Sequence, residues 1–151
     1  MNDTPTPSAG VFHGREHLLS VRVYYEDTDF TGLVYHGNYV RYFERGRSDF
    51  LRLAGVSHSD LLVGDQPSAF VVTRMEIDFR SPARIDDALL VITTYDSVRG
   101  ARLYVTQRIE RDGVLIAQAV VEAACITLAG RPRKPPPGLV ERLKPWFSTD
   151  S

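Results

Sequence analysis

The sequence has little that would support a disulfide, a membrane span or bulk nucleic-acid binding. Cys125 is the only cysteine among 151 residues, so no intrachain disulfide can form. The 18 basic and 19 acidic residues nearly cancel, which gives no electrostatic footprint for nucleic acid. No run approaches the roughly 20 apolar residues of a transmembrane helix, and no basic start precedes an apolar segment as in a secretory signal. We therefore expect a cytoplasmic protein with neither a membrane span nor a nucleic-acid partner.

Patterns typical of metal, nucleotide or serine-nucleophile chemistry are also absent or unsupported. There is no G-x-S-x-G motif, no G-x-x-x-x-G-K-[ST] phosphate loop and no G-x-G-x-x-G dinucleotide motif. His13 and His17 fit an H-x-x-E-H zinc pattern, but Gly14 interrupts the helix that this pattern requires. We expect neither a metal nor a cofactor.

What remains is the composition of an ordinary globular protein, 43% hydrophobic and 25% charged. A chain of 151 residues is typical of one domain and is long enough to bury a core. Residues 1–16 are rich in Thr, Pro, Ser and Gly, which predicts a disordered tail. We expect the folded domain over residues 17–147 and a second short tail over residues 148–151.

One long helix is predicted to follow a first strand over residues 18–25. Residues 38–54 place apolar side chains in one arc at helical spacing, with Asn38 as the N-cap and Gly55 as the stop. Gly46 lies in the middle of that apolar arc. A glycine there predicts a close approach of the helix to a sheet.

Four strand-like runs follow the helix and predict an antiparallel meander. They cover residues 69–80, 88–98, 103–111 and 114–128, and short helical turns are predicted over 57–62 and 138–147. The last run is apolar on both faces, which predicts a central strand. One helix against one face of a curled antiparallel sheet is an α+β arrangement, and its open edges predict at least a dimer.

Titratable residues concentrate between the first strand and the long helix. Residues 25–39 read YEDTDFTGLVYHGNY, with acids, a histidine, glycines and tyrosines close together. A loop at a strand-to-helix junction is held by a rigid scaffold, and a helix start offers free backbone N–H groups. This stretch is therefore the predicted functional site.

The same stretch carries a specific resemblance. Residues 21–53, VRVYYEDTDFTGLVYHGNYVRYFERGRSDFLRL, resemble the signature of the 4-hydroxybenzoyl-CoA thioesterase family. More narrowly, they resemble the bacterial acyl-CoA thioesterases associated with the Tol–Pal envelope system. A second stretch, FRSPARIDD at residues 79–87, resembles the same family. The resemblance implies a hotdog fold, in which a five-stranded sheet wraps one long helix, and a homo-oligomer, a dimer or tetramer, whose subunits share active sites.

The resemblance also implies individual site residues. The family's catalytic aspartate corresponds to Asp29, and its partners correspond to Tyr25 and His36. Phe30 and Thr31 replace the small residues that are more usual after the aspartate, which bears on the acyl preference.

The second stretch is implied to pass near coenzyme A. Arg80, Ser81 and Arg84 would bind its phosphates or pantetheine, since arginine forks suit phosphate oxygens. The alternative for these residues is a solvated strand end.

The residue types in the loop suit hydrolysis of a thioester. Asp29 can act as a general base for water or attack the carbonyl directly, and the sequence leaves both routes open. Backbone amides near His36 and Gly37 can stabilise the oxyanion at the positive end of the helix dipole. Gly37 also lets a substrate approach the backbone closely. Tyr25 and His36 can orient the carboxylate, the water or the leaving group.

Structural roles stay open for several of these residues. Asp29 could be a turn residue that hydrogen-bonds its own backbone. His36 could belong only to the approach to the helix, and Tyr25 could pack as an ordinary strand residue. Glu26 and Asp27 are interpreted as structural.

The preferred function is hydrolysis of an acyl-CoA, or of an acyl carrier protein thioester, to a free acid and a thiol. One alternative is an aromatic acyl-CoA thioesterase. Phe30, Tyr35 and Tyr39 could line the tunnel for an aliphatic or an aromatic acyl group. The other is a non-catalytic scaffold that binds an acyl carrier protein. A scaffold has no use for a buried carboxylate, so the acidic loop favours the enzyme.

Overall fold

A six-stranded antiparallel sheet and one long helix form most of the structure, a computed structural model that describes residues 3–149. The strands are β1 (Val11–His13), β2 (Glu16–Arg22), β3 (Ser68–Phe79), β4 (Ala88–Arg99), β5 (Arg102–Arg111) and β6 (Val114–Thr127). The long helix is α1 (His36–Leu53), and two short helices are α2 (His58–Leu61) and α3 (Leu139–Leu143). The predicted α+β class is confirmed, although the sheet has six strands rather than five.

The strands lie in the order β1-β2-β4-β5-β6-β3, which places β3 at an edge. The predicted meander is right for β4, β5 and β6 but wrong for β3, which pairs with β6. Residues 80–87 are the reason, because they run along the segment before α1 instead of making a tight turn into β4. The last strand, β6, is flanked on both sides, but β4 and β5 lie nearer the middle of the sheet.

The helix α1 packs on the sheet through a strongly apolar face. Tyr39, Tyr42, Phe43 and Phe50 are all buried, as their helical spacing predicts. Two positions differ from the predicted arc, because Leu51 is buried and Leu53 is largely exposed. The helix ends at the predicted glycine, since Gly55 has a φ of 94° that is unfavourable for other residues.

Gly46 marks the closest approach of α1 to the sheet. A Cβ atom at this position would lie 2.7 Å from Thr93 Oγ1 and 2.8 Å from Val91 Cγ1, both on β4. No side chain fits between the helix and the strand here. The close approach predicted from the sequence is therefore confirmed.

Part of the segment predicted as a disordered tail is a strand. Val11–His13 pairs with β2, which itself begins at Glu16. Asp49 of α1 explains why this segment is ordered. Its Oδ2 accepts a hydrogen bond from the N–H of Gly10 (2.8 Å) and lies 2.7 Å from Nε2 of the buried His17. The helical pattern had placed Asp49 on the polar face, so this contact was not predicted.

The chain after β6 returns to the sheet. Helix α3 and the turn that follows it cover the predicted helical segment, and the N–H of Ser148 donates to the carbonyl of Tyr95 on β4 (3.0 Å). Residues 150 and 151 of the predicted tail lie outside the described residues. The division of the chain into tails and one domain stays a prediction.

Among the helices of residues 3–149, none combines the length and apolar character needed to cross a bilayer.

Candidate active site

Two loops that are distant in sequence lie side by side at the start of α1. The first loop covers residues 23–35 and the second covers residues 80–87. The N–H of Val34 donates to the carbonyl of Ala83 (2.9 Å). Further backbone hydrogen bonds join Ile85 to Gly32 and Asp86 to Val23. The fold thus brings together the two stretches that carry the family resemblance.

Asp29 lies in a turn of the first loop and is exposed. Its Oδ1 accepts hydrogen bonds from the N–H (2.9 Å) and the hydroxyl (2.5 Å) of Thr31. Its backbone carbonyl accepts from the N–H of Gly32 (3.1 Å). Asp29 therefore has the turn contacts that were the alternative to catalysis. Among the described residues its Oδ2 accepts no hydrogen bond, so this oxygen is available to a water or a thioester carbonyl.

The turn stabilises the ionised form of the Asp29 carboxylate. The hydroxyl of Thr31 and then its N–H stabilise the charged form and lower the pKa of Asp29 below its usual value. The expectation of a buried carboxylate is wrong for the single chain. A charged, exposed carboxylate needs a partner surface or a bound substrate to exclude water from it.

Asp27 is the buried acid of the first loop. Its Oδ2 accepts from the N–H of Tyr24 (2.8 Å), and its Oδ1 accepts from the side-chain amide of Asn38 (2.8 Å). Asn38 was predicted to be the N-cap of α1, which is wrong, because the cap is Tyr35 and Asn38 lies in the first turn. The carboxamide of Asn38 binds Asp27 instead of a helix N–H.

The start of α1 offers unsatisfied backbone donors. No acceptor within the described residues receives the N–H of His36 or of Gly37, whereas the N–H of Asn38 donates to the carbonyl of Tyr35 (2.8 Å). Such groups carry the positive end of the helix dipole and suit a developing negative charge. A Cβ on Gly37 would lie 2.7 Å from Cε2 of Tyr35, so the ring of Tyr35 covers this glycine.

The three predicted catalytic residues share this junction without touching one another. Tyr25 is 84% exposed and lies in a single turn of 3-10 helix before Asp29. The ring of His36 is exposed and packs on Tyr35, with ring centroids 4.4 Å apart. No hydrogen bond joins Tyr25, Asp29 and His36 in the part of the chain that the structure describes. In the single chain, therefore, no hydrogen bond fixes the positions of these three side chains relative to one another, as expected for a site that another surface completes.

The predicted tunnel residues have three different environments. Phe30 is fully exposed at the tip of the first loop, and Tyr35 is half-exposed. Tyr39 is buried in the core, where its hydroxyl accepts from the N–H of Ala83 (3.2 Å). Tyr39 thus holds the second loop and does not face a tunnel in the single chain.

The predicted coenzyme A residues lie on or beside the second loop. Arg80 and Arg84 are exposed, and the contact of Arg80 is a 4.0 Å ion pair with the exposed Asp78. Ser81 is half-buried, and its N–H donates to the carbonyl of Ile116 on β6 (3.1 Å). The exposed guanidinium groups of Arg80 and Arg84 lie beside the first loop and are available to bind phosphate.

Three side-chain contacts at the site were not predicted from the sequence. Thr31 binds Asp29, and the spacing of two residues is a recognisable turn signal. Phe79, at the end of β3, packs against His36 with ring centroids 6.4 Å apart. Arg111 of β5 donates to Asp87 Oδ2 (2.9 Å) and so fixes the second loop. The last two contacts join segments that are distant in sequence, which no local pattern reveals.

A cavity of about 130 Å³ lies between the second half of α1 and the sheet. Most of its lining is apolar, from residues such as Leu51, Phe70, Val72, Leu103 and Val105. None of the lining residues comes from the two loops, so this cavity is separate from the site. Within residues 3–149 there is also no cluster of three or more His, Cys, Asp or Glu able to hold a metal ion.

Comparisons with known proteins agree on one family. A model of the thioesterase-like superfamily matches residues 23–147. The chain is 43% identical over 108 residues to the acyl-CoA thioesterase YbgC of Haemophilus influenzae, covering 72% of this chain and 79% of that protein. It is 41% identical over 126 residues to the acyl-CoA thioester hydrolase YbgC of Escherichia coli O6:H1, covering 82% of this chain and 92% of that protein.

A solved structure named as a probable thioesterase also matches this chain. The crystal structure of a probable thioesterase from Bartonella henselae has a TM-score of 0.78 and 42% sequence identity. The match covers 80% of this chain and 99% of that one.

Proposed function

Because the chain belongs to the thioesterase-like superfamily, we propose that it hydrolyses acyl-CoA thioesters to a free acid and coenzyme A. Relatives named as acyl-CoA thioesterases match most of its length at more than 40% identity, which supports the carrier as well as the reaction. The observation that carries the proposal is an exposed, ionised carboxylate in the loop that leads into a helix whose first amides are unsatisfied.

Asp29 is the proposed base or nucleophile. Its Oδ2 is unengaged by the described residues. An exposed aspartate is ionised at neutral pH, and the two Thr31 donors on Oδ1 lower its pKa further. As a base it would take a proton from the attacking water, and as a nucleophile it would form an anhydride that water then hydrolyses. Both routes release the thiolate of coenzyme A, which is a good leaving group.

The proposed oxyanion donors are the N–H groups of His36 and Gly37. Donors of this kind are worth about 2.7–4 kcal/mol each when they are aimed at the developing charge. The Tyr35 ring lies over Gly37, so it would be among the first groups that an approaching thioester meets. The side chains of Tyr25 and His36 lie at the same junction and are proposed to orient the water or the leaving group.

Arg80, Ser81 and Arg84 are proposed to hold the pantetheine and phosphates of coenzyme A. Backbone hydrogen bonds fix their loop to the first loop, so a carrier bound there would lie beside the loop that contains Asp29. An acyl carrier protein presents the same pantetheine arm and is the alternative carrier. The guanidinium groups are exposed and can meet either one.

We also propose that the active protein is a homodimer or a larger homo-oligomer. Among residues 3–149, strand β3 pairs only with β6, and its other edge has no partner strand. Its residues Met75, Ile77 and Phe79 stay partly exposed on the face that their β6 partners bury. Partly exposed apolar side chains along a free strand edge favour pairing with a second surface. Such a surface would also cover the exposed catalytic loop.

The test is release of thiol from short, long and aromatic acyl-CoAs by the wild type and by Asp29→Asn. We expect wild-type turnover, and a loss of kcat of about 100-fold or more in the variant, because it removes the base or nucleophile. Asp65→Asn is the matched control, since this exposed aspartate lies in the α2–β3 connection and should leave turnover unchanged.

The preferred acyl group in the panel identifies the substrate class. A preference for aromatic esters would select the aromatic thioesterase. If the folded wild type hydrolyses no ester, the proposed function is wrong, and a non-catalytic acyl carrier protein-binding role becomes the better interpretation. If Asp29→Asn keeps full turnover, the protein is a thioesterase but Asp29 is neither its base nor its nucleophile.

A further inference from the structure

The first loop contains one buried acid, and the proposed mechanism does not use it. Glu26 and Asp29 are exposed, whereas Asp27 lies between them in sequence and is only 5% exposed. Burial of a carboxylate is costly unless its oxygens accept hydrogen bonds. The hydrogen bonds of Asp27 therefore indicate which parts of the site it stabilises.

Each oxygen of the Asp27 side chain holds a different part of the site. Oδ2 accepts from the N–H of Tyr24, at the end of the segment leaving β2, and Oδ1 accepts from the side chain of Asn38 in the first turn of α1. The backbone carbonyl of Asp27 also accepts from the N–H of Tyr35, the N-cap of α1 (2.9 Å). One residue thus joins the incoming strand, the helix cap and the helix itself.

The three proposed catalytic residues are close neighbours of these contacts. Tyr25 follows the bonded Tyr24, His36 follows the bonded Tyr35, and Asp29 is two residues beyond Asp27 itself. We propose that Asp27 is a positioning residue, which sets the location of the Asp29 carboxylate relative to the His36 and Gly37 amides. This inference rests on the proposed thioesterase function.

A carboxylate is the side chain that this position requires. It must accept from a backbone N–H and from a carboxamide at the same time, and only an acceptor on both sides does so. An asparagine would place its NH₂ group against one of the two donors. The negative charge also lies at the start of α1, where the helix dipole favours it.

The first experiment compares steady-state kinetics of the wild type, Asp27→Asn and the control Asp65→Asn on the best acyl-CoA of the panel. We expect kcat of Asp27→Asn to fall about 10- to 100-fold, because small displacements of reacting groups have effects of that size. KM should change far less, since the coenzyme A loop is untouched. A merely structural role would lower the amount of folded enzyme but not the kcat of the folded fraction.

The second experiment exchanges the two side chains. In Asp27→Asn combined with Asn38→Asp, the new amide can accept from Tyr24 with its oxygen and donate to the new carboxylate with its nitrogen. Both hydrogen bonds and the net charge are retained, so most of the lost kcat should return. This double variant also decides the matter if Asp27→Asn alone does not fold.

Amide hydrogen exchange at Tyr24 gives a measure that is independent of activity. Its N–H should exchange faster in Asp27→Asn and slow again in the double variant. An unchanged kcat in Asp27→Asn, or a double variant that is no better than the single one, would overturn the positioning role. An inactive wild type would count against the proposed function instead, while the exchange rates would still show whether Asp27 holds the loop.

Discussion

At the scale of single residues, short polar side chains define the site. Thr31 is an example, because it replaces a smaller residue of the family pattern and yet donates to the proposed catalytic carboxylate. The departure was expected to bear on the acyl group. The structure relates Thr31 to the pKa of Asp29 as well, and the bearing on the acyl group stays a prediction.

Thr31→Val tests this contact through the pH dependence of kcat/KM. The Thr31 hydroxyl is the main group that lowers the pKa of Asp29, so its removal should raise that pKa. Activity that needs ionised Asp29 would then be lost at a higher pH as the solution is acidified. A pH–rate profile of wild type and variant measures the shift of the acid limb.

Thr28→Val serves as the control, because the Thr28 hydroxyl donates to the carbonyl of Tyr25 and not to Asp29. If the acid limb of the pH–rate profile shifts equally in Thr31→Val and Thr28→Val, the Thr31 hydroxyl does not act on Asp29.

A second residue-scale effect concerns stability and lies far from the chemistry. His17 is fully buried, with Nε2 against Asp49 and with no hydrogen-bond partner for Nδ1 among the described residues. Burial lowers the pKa of His17, although the hydrogen bond and charge of Asp49 oppose this. The folded state therefore resists protonation, while the unfolded state takes up a proton near the ordinary histidine pKa.

We expect the free energy of unfolding to fall as the pH drops below about 6.5, because only the unfolded state gains the proton there. The slope from this one residue is at most about 1.4 kcal/mol per pH unit. His17→Gln keeps a donor toward Asp49 without titrating and should remove this part of the slope. Urea unfolding between pH 5 and 8 measures it, with the exposed His58→Gln as a control that should retain the wild-type slope.

At the scale of elements, the contact of α1 with β4 depends on one missing side chain. Gly46 and Gly37 both lie in α1, but a Cβ on Gly46 would meet packed β4 side chains, whereas one on Gly37 would meet the partly exposed ring of Tyr35. The same substitution at the two positions separates helix propensity from packing.

Gly46→Ala should lower the free energy of unfolding by about 1–2 kcal/mol, because overpacking outweighs the gain of about 1 kcal/mol in helix propensity. Gly37→Ala should be neutral or stabilising by up to about 1 kcal/mol, since the Tyr35 ring can move. Denaturant unfolding of both variants gives the comparison. Equal stability of the two variants would mean that α1 leaves room for a methyl group against β4 at position 46.

At the scale of the whole molecule, β3 and the two loops are surfaces that a single chain leaves exposed. The edge of β3 is open, Ile77 faces the inner side of the sheet without full cover, and Asp29 is exposed to solvent. The association of chains proposed above would cover all three.

Light scattering should therefore give a mass of at least twice the 17.0 kDa of the chain. Ile77→Lys places a charge in the partly covered stripe of β3 and should shift the protein toward monomer, with a parallel loss of thioesterase activity. Val120→Lys on the opposite face of β6 is the control, because this valine is already exposed. A monomeric wild type with full activity would contradict the shared site.

Much of this protein was determined by its sequence alone. The helical spacing of Tyr39, Tyr42, Phe43 and Phe50 and the glycine at position 46 are local patterns, and such patterns follow directly from backbone geometry. The motif around Asp29 is contiguous, so its resemblance to thioesterases could be seen without a fold.

Only the tertiary structure decided which distant groups meet. The pairing of β3 with β6, the hydrogen bond from Gly10 to Asp49 and the contact of Asp49 with His17 all join residues that are remote in sequence. Asn38 shows the same limit locally, because an N-cap and a partner for a buried carboxylate look alike in sequence. Long-range contacts depend on how the whole chain packs, and a local pattern carries no information about the residue on the other side.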